Sequence, residues 1–159
     1  MLHSTIEKIV IDTYEQNGIV SIRDLAIENI SRLLWIDLSY TDKQSSSYRF
    51  EDYVAIRLHR HIARHKQVWQ FFHECGHLFI HDVNQLTAVR PISQFMEIQA
   101  YRFALYASMP HHILIQYISK YYKISDRDIA HIFQVPMWAA QRRLEQIKSR
   151  IIQERLYLI

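Results

Sequence analysis

Trp69-Gln70-Phe71-Phe72-His73-Glu74-Cys75-Gly76-His77-Leu78-Phe79-Ile80-His81 is the stretch whose reading decides the fold. It contains His-Glu-x-x-His. On an α-helix, residues four apart are offset by only about 40° and one turn, ~6 Å. Two imidazoles so placed reach one metal ion, with Glu74 beside them to act on a water. Trp69, Phe71, Phe72, Cys75, Leu78, Phe79 and Ile80 make the segment apolar almost all round, the mark of a buried helix. Buried His and Glu side chains need polar partners, because an unpaired one is strongly destabilising. A metal supplies them. In a chain with ten His the short pattern also arises by chance, so a third ligand is required before it counts as a site.

A catalytic zinc site has three protein ligands and one open position. Glu97 follows His77 by 20 residues on a separate apolar-periodic segment. A helix, a turn and a second helix return such a carboxylate to the side of the first helix. Spacing alone also fits an ordinary surface Glu. His81 extends the row of His, but about 80° and two turns, ~12 Å, separate it from His73, which strains joint ligation. It reads as a helix-end residue supporting the site. Cys75 lies about 200° round the helix from His73 and is rejected as a ligand.

With 159 residues the chain suggests one domain with at most a small appended unit, large enough to bury a core without disulfides. One Cys cannot form an internal disulfide, which fits a reducing cytosol. The N-terminal residues lack the apolar run of a signal peptide, and no apolar stretch suffices to span a membrane. A cytoplasmic chain without membrane partners is expected. Residues 1–112 carry a net charge of −1 and residues 113–159 a net charge of +4. A helical tail with a solvated basic face is the commoner origin of such asymmetry, and a nucleic-acid face the rarer one.

Along the chain, Ser4-Thr5-Ile6-Glu7 is a capping box and Gly18 a C-cap signal, so 5–17 reads as a helix. Ser21-Ile22-Arg23-Asp24 starts a second helix running to about Ser31. The period then changes: Leu34, Ile36, Leu38 and Tyr40 alternate with Trp35, Asp37 and Ser39, as in a half-buried strand. A polar loop over 41–47 follows, then a strand from Tyr53 to Leu58. The two strands could pair as a hairpin, and a short sheet beside the metal helix would offer an edge to an extended peptide. The metal helix opens at His61 or Ala63 and reaches His81. A loop over 82–91 leads to a helix from Ser93 to Met109-Pro110, and helices over about 112–122, 126–133 and 137–156 complete the chain.

Phe72-His73-Glu74-Cys75-Gly76-His77-Leu78-Phe79-Ile80-His81 resembles the HELGHxxxH helix of the ImmA/IrrE family of metallopeptidases. Glu97-Ile98-Gln99-Ala100-Tyr101-Arg102-Phe103-Ala104, closed by Met109-Pro110, resembles that family's ExxAxxFA…MP segment. The match covers roughly residues 50–147. The resemblance implies an α+β fold: a mostly helical, gluzincin-like (zincin-like) domain over residues 1–110, with a small sheet next to the HExxH helix. Residues 111–159 then form a helical subdomain packed on it. It further implies a cytoplasmic endopeptidase with metal ligands His73, His77 and Glu97, Zn2+ (or Mn2+) as cofactor, and Glu74 as general base. The implied substrates are helix-turn-helix (Xre-like) repressors of phages, conjugative elements or stress regulons, whose cleavage relieves repression. One departure is Tyr101, four residues after Glu97, where the family tends to have Asn. Tyr101 either donates to the reacting carbonyl, a catalytic role, or marks a rebuilt support for a zinc-binding His.

Ser125-Asp126-Arg127-Asp128 caps a short helix, and Gln134-Val135-Pro136 turns into a second one with Met137, Ala140, Leu144 and Ile147 inward. This looks like a helix-turn-helix. A DNA reader needs polar side chains at the start of its second helix, and here only Gln141, Arg142 and Arg143 qualify. Packing or substrate docking is therefore preferred over DNA recognition. The alternatives to a zinc endopeptidase are a partner-binding protein that sequesters without cleaving and a DNA-associated regulator on the same fold.

Overall fold

Ser4 accepts a hydrogen bond from the Glu7 amide at 3.2 Å and opens α1 (Thr5–Gln16), which ends at Asn17 before Gly18 at φ +66°. Only half of the expected capping box forms. The Glu7 carboxylate runs instead to Arg143 and Arg150, in the last helix. The computed structural model describes residues 4–81, 90–121 and 123–157. Among these, Asp24 accepts from the Ser21 amide at 2.8 Å, but the turn it closes, Ile22–Leu25, is 3-10. Extended backbone at Ala26 (ψ 128°) separates it from α2 (Ile27–Leu33), so the single helix expected there is divided.

Three strands follow: β1 (Ile36–Thr41), β2 (Ser46–Phe50) and β3 (Tyr53–His59), in the order β1-β3-β2. The hairpin expected between the two recognisable strands is not formed, because β1 pairs parallel to β3. The antiparallel partner of β3 is β2, whose first two residues fall in the expected loop over 41–47 and whose other three had no expected element. The reason is compositional. Ser46, Ser47, Tyr48, Arg49 and Phe50 occupy an edge strand, four of them exposed, and so lack the alternation of a half-buried strand.

The metal-helix candidate is α3 (Arg64–Ile80), and α4 spans Arg90–Ser108. Of the loop expected over 82–91, residues 82–89 lie outside the described ones, and Arg90 and Pro91 already belong to α4. The chain closes with α5 (His111–Lys120), α6 (Asp126–Ile132) and α7 (Met137–Tyr157). Among the described residues the architecture is α+β and mostly helical, seven α-helices with one small sheet. Its core is continuous, from Val10 and Tyr14 through Ile56, Leu58, Phe71, Phe72 and Ala104 to Ala140, Leu144 and Ile147. Met137, expected to point inward, is 39% exposed, and the buried positions of that turn are Ala139 and Ala140.

Candidate metal centre

Glycine decides how closely α3 and α4 approach. A Cβ on Gly76 would lie 2.7 Å from Ala100 Cα and 3.0 Å from Ala100 O, closer than non-bonded atoms come. Small residues at both places let the helices touch backbone to backbone. Glu97, one turn before Ala100, therefore reaches the imidazoles of α3. His73 Nε2 lies 3.2 Å from Glu97 Oε2, His77 Nε2 lies 3.3 Å from Glu97 Oε1, and the two Nε2 atoms are 3.2 Å apart. Zinc bonds of about 2.0–2.2 Å place neighbouring corners of a tetrahedron about 3.3–3.5 Å apart. The triangle fits that size, with room for a fourth ligand.

One arrangement of protons leaves the triangle open to a cation. His81, at the C-cap of α3, has its Nε2 2.9 Å from Gln99 Oε1 and its Nδ1 3.4 Å from His77 Nδ1. With the amide oxygen of Gln99 accepting, His81 carries its proton on Nε2 and takes the His77 Nδ1–H on its other nitrogen. His77 then presents a lone pair at Nε2. His73 has one Nε2 proton at most and can aim it at one neighbour only. The remaining contact sets a lone pair against a carboxylate, which a cation in the triangle turns from repulsion into attraction. His77 is 8% exposed, and its pKa falls to about 4, first through burial and then through the neighbouring His73. Neutral imidazole is the form that binds metal.

Glu74 lies beside the triangle. Burial raises its pKa, while the Ser47 hydroxyl, donating to Oε2 at 2.6 Å, lowers it. That bond ties β2 to α3, and Ser45 adds a contact to Gln70. Ser47, Ser45 and Gln99 were not identified from the sequence. Ser and Gln carry no spacing signature, and their partners are 18 or more residues away.

Tyr101 does not substitute for a hydrogen-bonding Asn. Its ring stacks on Trp138 (5.7 Å, 15°) and meets Trp69 edge-on at 5.5 Å, and His73 Nδ1 is buried without a hydrogen-bond partner among the described residues. Cys75 is fully buried and does not join the metal-ligating group. His112 faces Tyr14 and the Ile19 carbonyl. Tyr101 lines the cleft beside His73 and Glu97, where a donor to the reacting carbonyl would have to stand.

The family model described as the IrrE N-terminal-like domain matches residues 33–145, 113 of the chain's 159 residues. The chain belongs to the ImmA/IrrE family of metallopeptidases. No curated protein matches it. The ImmA/IrrE match begins earlier than the resemblance read over residues 50–147 and takes in the whole sheet, while α1 lies outside it. An ImmA/IrrE metallopeptidase acts on a protein or peptide, and His73, His77 and Glu97 form the His-His-Glu group able to hold its metal ion. Among the described residues no helix is long and apolar enough to cross a membrane.

Proposed function

We propose that this chain is a cytoplasmic zinc endopeptidase that hydrolyses one peptide bond in a helix-turn-helix repressor and so relieves repression. The observation that carries the reading is the triangle of His73, His77 and Glu97 with Glu74 one residue from the first ligand. Zn2+, or Mn2+ in its place, supplies Lewis acidity and lowers the pKa of water toward ~7. Glu74 takes the proton of the attacking water and returns it to the leaving amine. The Ser47 bond holds Oε2, which leaves Oε1 for that proton. Tyr101 is the candidate donor to the developing oxyanion. The free edge of β2, tied to Glu74 through Ser47, suits an extended substrate strand. In this reading residues 1–110 carry the chemistry and residues 111–159 form a helical subdomain walling the cleft.

The test is metal analysis of purified wild-type, His77→Ala and Glu74→Gln proteins, paired with incubation against a repressor encoded nearby. Wild type is expected to hold one divalent ion and to cleave. His77→Ala should lose both, and Glu74→Gln should keep the ion while cleavage falls about 10²–10⁴-fold. Repressor inactivation that survives Glu74→Gln would replace the proposal with sequestration of a partner. DNA binding through α7 has less support, since Arg143, one of its expected contacts, is 0% exposed.

A further inference from the structure

The cleft beside His73 and Glu97 measures about 620 Å³ and has two unlike walls. One is the aromatic shelf of Tyr101, stacked on Trp138. The other brings Arg102 of α4 and Arg142 of α7 to the same space, with Tyr106 and Gln146 behind them. Two cationic residues from different helices thus share a cavity in which Glu97 is the only carboxylate among the described residues. Under the metal reading that carboxylate is directed at the ion. Arg102 is exposed and makes no ion pair among the described residues. The ion pair of Arg142 among the described residues is to Glu145, at 3.6 Å, with both side chains at least 60% exposed, a weak engagement. Burial raises the Tyr101 phenol and the charge of Arg142 opposes the shift, which puts that charge at the shelf.

The back of the cleft rests on a buried arginine. Arg143 is fully buried, bonds Glu7 at 2.7 Å, holds Gln146 through Nη1 at 3.3 Å and lies 4.8 Å over the Tyr106 ring. A guanidinium fork matches a carboxylate in two parallel hydrogen bonds.

We propose that Arg102 and Arg142 form a carboxylate-binding subsite beside the reaction centre, selecting peptides that carry an acidic group near the bond to be cut. The cutting rests on the peptidase proposal; the binding does not. The carboxylate belongs either to an Asp or Glu side chain or to a chain terminus.

Two pools of short random peptides, one amidated at the C-terminus and one with free carboxylates, are passed over immobilised Glu74→Gln protein preincubated with Zn2+. Retained peptides are read by mass spectrometry. Asp and Glu should be enriched in the amidated pool. The enrichment should fall roughly threefold to fivefold on Arg102→Gln or Arg142→Gln, and stay unchanged on Arg127→Gln, an exposed arginine of α6. Retention confined to the free-carboxylate pool, and lost with the same two arginines, also supports the subsite and assigns it to a chain terminus. No acidic excess in either pool, an excess that survives both substitutions, or no retention at all overturns the proposal. Wild-type protein incubated with the same pools separates the two ideas. Acid-selective retention without cleavage removes the peptidase and keeps the subsite; cleavage without acidic bias does the reverse.

Discussion

Two places in this molecule set a carboxylate among nitrogen-bearing side chains, Glu7 in the interior and Glu97 with its side chain 55% exposed, and they differ in what surrounds the charge. Glu7 is 1% exposed and lies between Arg143 at 2.7 Å and Arg150 at 2.5 Å, an ionic latch that joins the first helix to the last. One carboxylate there faces two guanidiniums, all three groups supplied by the chain itself. At the α3–α4 site two imidazoles and a carboxylate converge at 3.2–3.3 Å, with imidazole nitrogens in place of guanidiniums. That group is able to hold a metal ion. The first cluster is built of ion pairs within the chain; the second offers three ligand atoms to a metal ion.

Breaking the latch should produce the largest stability change. Arg143→Met strips Glu7 of its closest fully buried partner and should lower the unfolding free energy by about 3–5 kcal/mol in urea titration. Adding Glu7→Leu to it should recover much of that loss, because a buried pair exchanged for apolar groups is close to neutral. Failure to recover would mean that the latch stabilises beyond charge balance.

Gly76→Ala strikes the other region and should be milder. Its new methyl meets the Ala100 backbone and forces α3 from α4, at a cost of about 1–3 kcal/mol. Metal content should fall with it, as Glu97 leaves the imidazoles. A stable variant with unchanged metal would show that the site tolerates a wider helix spacing.

The smallest effect is a pH dependence confined to the metal-free site. His77 takes a proton near its ordinary pKa of 6.5 when unfolded but resists to about 4 when folded. The unfolded state therefore binds more protons across that window, and stability falls as pH drops from 6.5 toward 4. Glu74, raised by burial, acts in the opposite sense, so the comparison uses Glu74→Gln protein with and without His77→Phe. The melting temperature should decline with acid more steeply when His77 is present.

Much of this was legible in the residues, and the parts that were not share a cause. The helices of residues 64–80 and 126–132 follow from apolar periodicity and from Ser125 with Asp128, which do cap one another. The pairing of β1 with β3 was not readable, because parallel and antiparallel partners carry the same alternation in a single strand. Strand β2 hid behind its exposure. Arg142 and Arg143 are adjacent and alike in sequence, yet one lines the cleft and the other is 0% exposed beneath it.

By itself the sequence determined what neighbours a few residues apart can settle: the helix that sets His73, Glu74 and His77 in reach of one another, and the caps that bound the helical segments. Only the tertiary structure decided that Glu7 leaves its own capping box for arginines more than a hundred residues away, and that Ser47 and Gln99 reach the site. The physical reason is range. Helical spacing is written into every turn by backbone geometry, whereas a hydrogen bond between distant side chains depends on where the whole chain has carried each of them.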